Sequence, residues 1–278
     1  MKKDDIKLVE IQKSRGYSQR KSLMLDDSLK AMDKNQKVFI VGICGGQGGG
    51  KTKLATYLRE KINHSAIIEE RNFFKQAKVK RKLTYGDGLL MGKFGDFSEE
   101  RKLLLVELSN PSSYDYKKLY TTLTNLINGK TAKIRKFDDM EGKYTGEEIE
   151  INPNNITVII LEGYFIFRDE KVRDLINLKI FNEVDDDVRL SRLVRNENKF
   201  LQNIPIAFKH FFLIYEKYIK FAYDKYIYPT KKQAKIILSI CDIKDNDDYK
   251  LIEEDETIEI LINNLNIIVD KKNKNKNK

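Results

Sequence analysis

Apolar residues alternate along this chain between two patterns. Short runs rich in β-branched residues begin with "KVFIVGI" at Lys37. They recur as "SAIIEE" (65–70), "ITVIILEG" (156–163), "LKIFNEV" (178–184) and "AKIILSI" (234–240). Such runs predict strands buried on both faces. Between them, apolar residues return at helical spacing. Helices are predicted over 53–62, 116–129, 185–197, 206–227 and 255–268, with Gly129 ending the second. Strands alternating with helices give βαβ units, hence an α/β fold whose mostly parallel sheet is covered by helices on both faces. The stretch "GDGLLMGKFG" (86–95) reads as a loop. In the 206–227 segment, Phe211, Tyr215, Tyr218, Ile219, Ala222 and Tyr226 fall on one helical face, so its aromatic residues belong to a core.

The flanks differ from this pattern. Residues 1–36 are charged and lack apolar periodicity, and are expected to form a mobile N-terminal extension. The α/β domain expected from the pattern runs over 37–270. The tail 271–278, "KKNKNKNK", is too polar to bury and is expected to be disordered. It carries five lysines of a net charge of +10, which removes half of an apparent nucleic-acid footprint; nucleic acid is not an expected partner. No apolar run reaches the length of a membrane span, and the N-terminus has no apolar signal core. With only Cys44 and Cys241, the chain has no disulfide framework, which fits a cytoplasmic protein. His64 and His210 are far apart and have no metal-ligand spacing around them.

The chemistry enters with "ICGGQGGGKT" (43–52). Gly45, four residues, then Gly50-Lys51-Thr52 fit the phosphate-loop pattern, between a predicted strand and a predicted helix. Successive N–H groups of Gly45, Gly46, Gln47, Gly48, Gly49 and Gly50 would curl around a polyphosphate that side chains would otherwise block. Lys51 brings an ammonium to the β- and γ-phosphates, and Thr52 a hydroxyl to Mg²⁺. The expected cofactors are therefore ATP and Mg²⁺. Glu162, at the C-terminal end of a buried strand, is a second candidate Mg²⁺ ligand. Arg189, Arg192 and Arg195 share a helix face and can neutralise charge on a transferring phosphoryl group.

Several segments then occur in the order known from one family. "VIILEGYFIF", "VRDLINLKIFNEVDDDVRLSRLVR", "YPTKKQAKIIL" and "LINGKTAKIRKFD" together resemble the uridine–cytidine kinase family, within the phosphoribulokinase and uridine kinase group. The resemblance spans about Val38 to Ile240. It implies a P-loop NTPase-type three-layer sandwich with a small lid and a β-rich substrate flap. It implies transfer of the ATP γ-phosphate to the 5′-hydroxyl of uridine or cytidine, by a protein that forms homo-oligomers. It also implies that Arg189 and Arg192 reach phosphates and substrate.

The chain departs from that family on the acceptor side. The family's second strand ends in Asp-x-Phe-Tyr; here "IIEERNFFK" puts Arg71 in the Asp position. A guanidinium neither accepts a proton nor binds Mg²⁺. Glu70, one residue away, is the candidate replacement, although alternate strand residues face opposite ways; Glu69 shares the parity of Arg71. Ser109 replaces an acid that contacts ribose, Phe137-Asp138 replaces Tyr-Asp, and Gly142 lies where a base-facing His is expected. The lid's Arg-Gly-Arg becomes "QNIPI" (202–206). Two functions follow: an ATP-dependent phosphotransferase acting on a nucleoside or related small-molecule hydroxyl, with Lys51, Glu70, Arg189 and Arg192 as its catalytic residues, or an ATP-binding protein that has lost catalysis and works through a partner.

Overall fold

A computed structural model describes residues 9–10, 36–75, 99–201, 205–239 and 255–276. The predicted loop at 86–95, most of the N-terminal extension, Cys241, the last two residues of the tail and residues 202–204 of the predicted lid lie outside these ranges.

Six parallel strands form the central sheet in the order β1-β8-β7-β2-β6-β3. They are β1 (Val9–Glu10), β2 (Phe39–Gly45), β3 (Ser65–Glu69), β6 (Val158–Gly163), β7 (Leu178–Asn182) and β8 (Ile236–Leu238). All residues of β2 and β6 are buried, as their unbroken apolar runs require. β1 pairs with Ile236 and Ile237 at the sheet edge. Part of the extension expected to be mobile is therefore a strand.

Side-chain alternation splits the sheet into two cores. Phe39, Val41 and Ile43 of β2 and Val158 and Ile160 of β6 face helices α1 (Lys51–Lys61) and α7 (Glu256–Lys276). Ile40, Cys44, Ile159 and Leu161 face α3 (Tyr116–Ile127) and α4 (Glu170–Asp174). This is the expected three-layer arrangement. α3 is capped by the Asp115 side chain, which accepts from the Lys118 amide, and ends before Gly129, whose φ of 80° is the left-handed region glycine favours. α7 runs to Lys276, beyond its predicted end and through most of the tail expected to be disordered. Lys272 ties it back to the sheet by donating to the carbonyls of Gln36 (2.8 Å) and Lys37 (2.9 Å).

A third cluster joins α2 (Glu99–Leu108), α5 (Asp186–Leu201) and α6 (Pro205–Ile214) through Leu105, Leu193, Leu201 and Phe211. Beyond Ile214 the helix widens into π turns at Tyr215–Lys220 and Tyr223–Ile227. The wider turn shifts the buried face. Tyr223 and Ile227 are buried, whereas Tyr218 and Tyr226, expected in the core, are only partly so. An antiparallel hairpin, β4 (Ala132–Asp138) and β5 (Lys143–Ile151), packs on the α3-side core as a separate two-stranded sheet.

β3 gives way at its C-terminal end to a 3₁₀ turn over Glu70–Phe73. Glu70 falls on the α3 face, with the parity of Ile68. It is 1% exposed. Its Oε2 accepts from the amides of Tyr164 (2.7 Å) and Phe165 (3.1 Å), and its Oε1 from the Tyr116 hydroxyl (2.9 Å). Gly163 lies against it so closely that a Cβ there would sit 2.5 Å from the Glu70 Cβ. Glu70 thus pins the end of β3 to the turn after β6. Burial pushes its carboxyl up to about 7, against the three hydrogen bonds that favour the anion.

The sign of the resulting pH dependence follows from proton uptake. Between pH 4.5 and about 7 the folded chain holds a proton on Glu70 that the unfolded chain has released, so stability falls as pH rises through this window. Full ionisation costs about 3 kcal/mol. Urea unfolding from pH 4.5 to 7.5 is expected to show this slope in the wild type and to lose most of it in Glu70→Gln. Equal slopes in the two proteins would remove the assignment.

Candidate active site

The glycine loop connects β2 to α1 and sits above the C-terminal ends of β2, β6 and β7. Gly48 (φ 73°) and Gly50 (φ 81°) take left-handed conformations that a side chain would strain. Space is tight as well. A Cβ on Gly46 would stand 2.5 Å from the Arg189 Nη1, and one on Gly48 would stand 2.5 Å from the Arg189 carbonyl oxygen. Gly50 caps α1 without a side chain, so the first N–H groups of the helix face the loop. Lys51 is buried and folds back to donate to the Gly46 carbonyl (2.9 Å), with its ammonium 4.2 Å from the centre of the Tyr164 ring. Burial lowers its pKa to about 8, although Glu162 nearby favours the charge.

Registry brings the two candidate metal ligands together. Ile43 of β2 lies opposite Glu162 of β6. Glu162 shares the parity of Ile160, so it points to the α1 side, where the first turn of that helix begins. There the Thr52 hydroxyl donates to Glu162 Oε1 at 3.1 Å. Burial raises the Glu162 pKa, with Arg71 and Lys51 opposing the shift. A hydroxyl and a buried carboxylate in contact form an oxygen donor set suited to Mg²⁺, which usually takes one or two protein oxygens and completes its shell from phosphates and water.

The second strand resolves the question of Glu69, Glu70 and Arg71. Glu69 is the ladder partner of Glu162 and shares its face. Glu70 faces the opposite way, with Oε2 engaged at the turn after β6 and Oε1 by Tyr116 of α3. Glu70, expected to replace the missing Asp, lies in the turn after β3 with its carboxylate on the α3 side, and Glu69 is the carboxylate beside Glu162. Arg71 turns back over this pair. Its Nη2 and Nε bind Glu69 (2.6 and 3.1 Å), its Nη1 binds Asp139 (2.7 Å), and its Nη2 stands 3.7 Å from Glu162. Burial opposes the charge, but the three acids outweigh it and hold the guanidinium protonated.

Arg189 is fully buried under the loop. Its Nε donates to the Val184 carbonyl (3.1 Å), it pairs with Asp186, and its guanidinium carbon lies 3.6 Å from the Tyr223 ring centre. Its Nη1 has no partner and packs on Gly46. Arg192 Nη1 is 3.5 Å from the Gly48 carbonyl, and Arg195 is exposed. Gln47 donates to Ser109 (3.1 Å), linking the loop to α2.

Other residues at the site gave no sequence signal. Asn182 ends β7 below the loop and donates to the Gly49 carbonyl. Asp139 holds Arg71, whereas its neighbour Asp138 is occupied with the amides of Met140 (2.8 Å) and Glu141 (3.0 Å) in the hairpin turn. Arg101 and Glu197 form a buried pair behind that turn. Cys44 is buried, and its thiol is pushed up to about 12 by burial, in keeping with a small packing residue. Among the described residues, no helix is long and apolar enough to cross a membrane.

The chain is similar to several known proteins. A model of the phosphoribulokinase / uridine kinase family matches residues 40–246. The uridine kinase of Borrelia duttonii (strain Ly) is 30% identical over 202 residues, which span 72% of this chain and 86% of that protein. Uridine kinase-like protein 5 of Arabidopsis thaliana is 27% identical over 205 residues, 72% of this chain and 38% of that protein. The solved D-glycerate 3-kinase of Cryptococcus neoformans aligns over 78% of this chain and 90% of its own, at 13% identity and a TM-score of 0.45. With most of its sheet and the whole glycine loop inside the matched region, the chain belongs to the phosphoribulokinase / uridine kinase family.

Proposed function

We propose that this protein is an ATP-dependent phosphotransferase acting in the cytoplasm, which moves the γ-phosphoryl group to the hydroxyl of a nucleoside or a related small molecule. One observation carries the reading: the Thr52 hydroxyl and the Glu162 carboxylate meet at 3.1 Å beside a glycine loop whose lysine is buried. The N–H groups of Gly45 to Thr52 bind the polyphosphate. Lys51 exchanges the Gly46 carbonyl for the β- and γ-phosphate oxygens, whose charge restores its full protonation. Thr52 and Glu162 would hold Mg²⁺, which supplies neutralisation of charge on those oxygens. Arg189 and Arg192 approach the loop from α5 and add positive charge beside the transferring group.

The acceptor side is carried by Glu69. It stands next to Glu162 on the same face and takes the proton of the attacking hydroxyl once Arg71 releases it. Phosphoryl transfer rests mainly on positioning and charge neutralisation, so a carboxylate offset from the family position suffices. Phe137, with no hydroxyl, and Gly142, in place of a base-facing side chain, remove hydrogen bonds that distinguish pyrimidines. The acceptor therefore stays at the level of a nucleoside or similar alcohol.

The test is ADP release from MgATP against a panel of nucleosides and other small alcohols. At least one acceptor is expected to stimulate turnover, and Lys51→Ala to reduce kcat by about 10²- to 10³-fold. ATP binding without product across the panel would overturn the reading in favour of a nucleotide-binding protein without catalysis. In the same assay Glu69→Gln is expected to lower kcat by at least about 10²-fold, while Glu70→Gln stays within a few-fold of wild type. The reverse order would return the proton acceptor to Glu70.

A further inference from the structure

A continuous set of polar contacts, buried at its Arg101–Glu197 end, joins the helix beside the glycine loop to the acceptor side. It starts on α5, which carries Arg189 and Arg192 against the loop. Two turns further along the same helix, Glu197 is 3% exposed and grips Arg101 of α2 with both oxygens; the Nε contact is 2.8 Å. The Nη1 of Arg101 donates to the carbonyls of Asp139 (2.6 Å) and Met140 (3.2 Å) in the β4–β5 turn. From that turn the Asp139 side chain reaches Arg71, and Arg71 reaches Glu69 and Glu162.

We propose that Arg101 and Glu197 are positioning residues: their pair ties α5 to the hairpin turn, so that a nucleotide gathered by α5 and the loop sets Asp139 where it holds Arg71 once that side chain has released Glu69. The inference rests on the phosphotransferase reading and specifies how its two halves are linked. A planar guanidinium suits this role, because one edge takes a carboxylate in a two-bond fork while the remaining donor stays free for carbonyls. A pair serving packing alone would not need those carbonyls. Two apolar side chains of similar volume fill such a space as well. The turn has its own internal support in Asp138, which caps Met140 and Glu141, so its shape does not depend on Arg101.

The distinction between packing and positioning sets the experiment. The double variant R101M/E197M keeps apolar contact between α2 and α5 and removes the Arg101 bonds to the turn. Amide hydrogen exchange is followed in full-length protein with and without a non-hydrolysable ATP analogue and Mg²⁺. In wild type, the nucleotide is expected to slow exchange in the glycine loop and, at least fivefold, across residues 137–144. In R101M/E197M the loop protection is expected to remain and the hairpin protection to disappear, with KM for the acceptor raised and KM for ATP unchanged. Hairpin protection equal to wild type in the double variant, or none in wild type, would overturn the proposal. Should R101M/E197M fail to fold, Arg101→Lys, which keeps the charge and loses the fork, reads the same two protections. Hairpin protection without acceptor-dependent ADP release would overturn the phosphotransferase reading and leave the clamp standing.

Discussion

The arrangement depends on the registry between two neighbouring parallel strands. β2 delivers the glycine loop and β6 delivers Glu162. Because Ile43 pairs with Glu162, the carboxylate emerges where α1 begins. A slip of one residue would turn Glu162 to the α3 face and leave the Thr52 hydroxyl without it. Both strands are wholly buried, so the slip would also expose or misplace two apolar faces at once. The hydrophobic pattern that builds the core thereby fixes the geometry of the site.

The same pleat decides the fate of the two glutamates at the end of β3. Glu69 goes to the charged side and meets Glu162; Glu70 goes to the α3 side and becomes an anchor for the turn after β6. Neighbouring residues of one type thus differ in kind. One stands in a cluster of three acids around a guanidinium, and the other is a buried carboxyl whose proton is shared with no other acid. Arg71 binds three carboxylates where the family places one carboxylate, so the sign of a single residue is inverted among the acids of the acceptor side.

The fold was legible because its strands are continuous apolar runs and its helices keep their spacing. The glycine loop was legible because few residue types satisfy its backbone, and Glu162 because an acid at the end of a buried strand has few other reasons to be there. Four things were not legible. Arg101 and Glu197 are 96 residues apart and look like any surface charges until α2 and α5 are packed together. Asp139 follows an Asp of identical type, and only the turn geometry separates the cap from the Arg71 ligand. The hairpin alternates buried apolar and exposed charged residues over few positions, which reads as polar chain. The π turns after Ile214 also escape a 3.6-residue period, so the aromatic face drifts from where that period places it.

Calorimetric titration of MgATP into the folded protein tests the central claim most directly, because it needs no acceptor and no turnover. Saturable binding at one site per chain, weakened at least tenfold by Gly48→Ala, is the result expected of a loop whose backbone grips a triphosphate. A folded protein that gives no binding heat and no rise in melting temperature with MgATP would contradict the account.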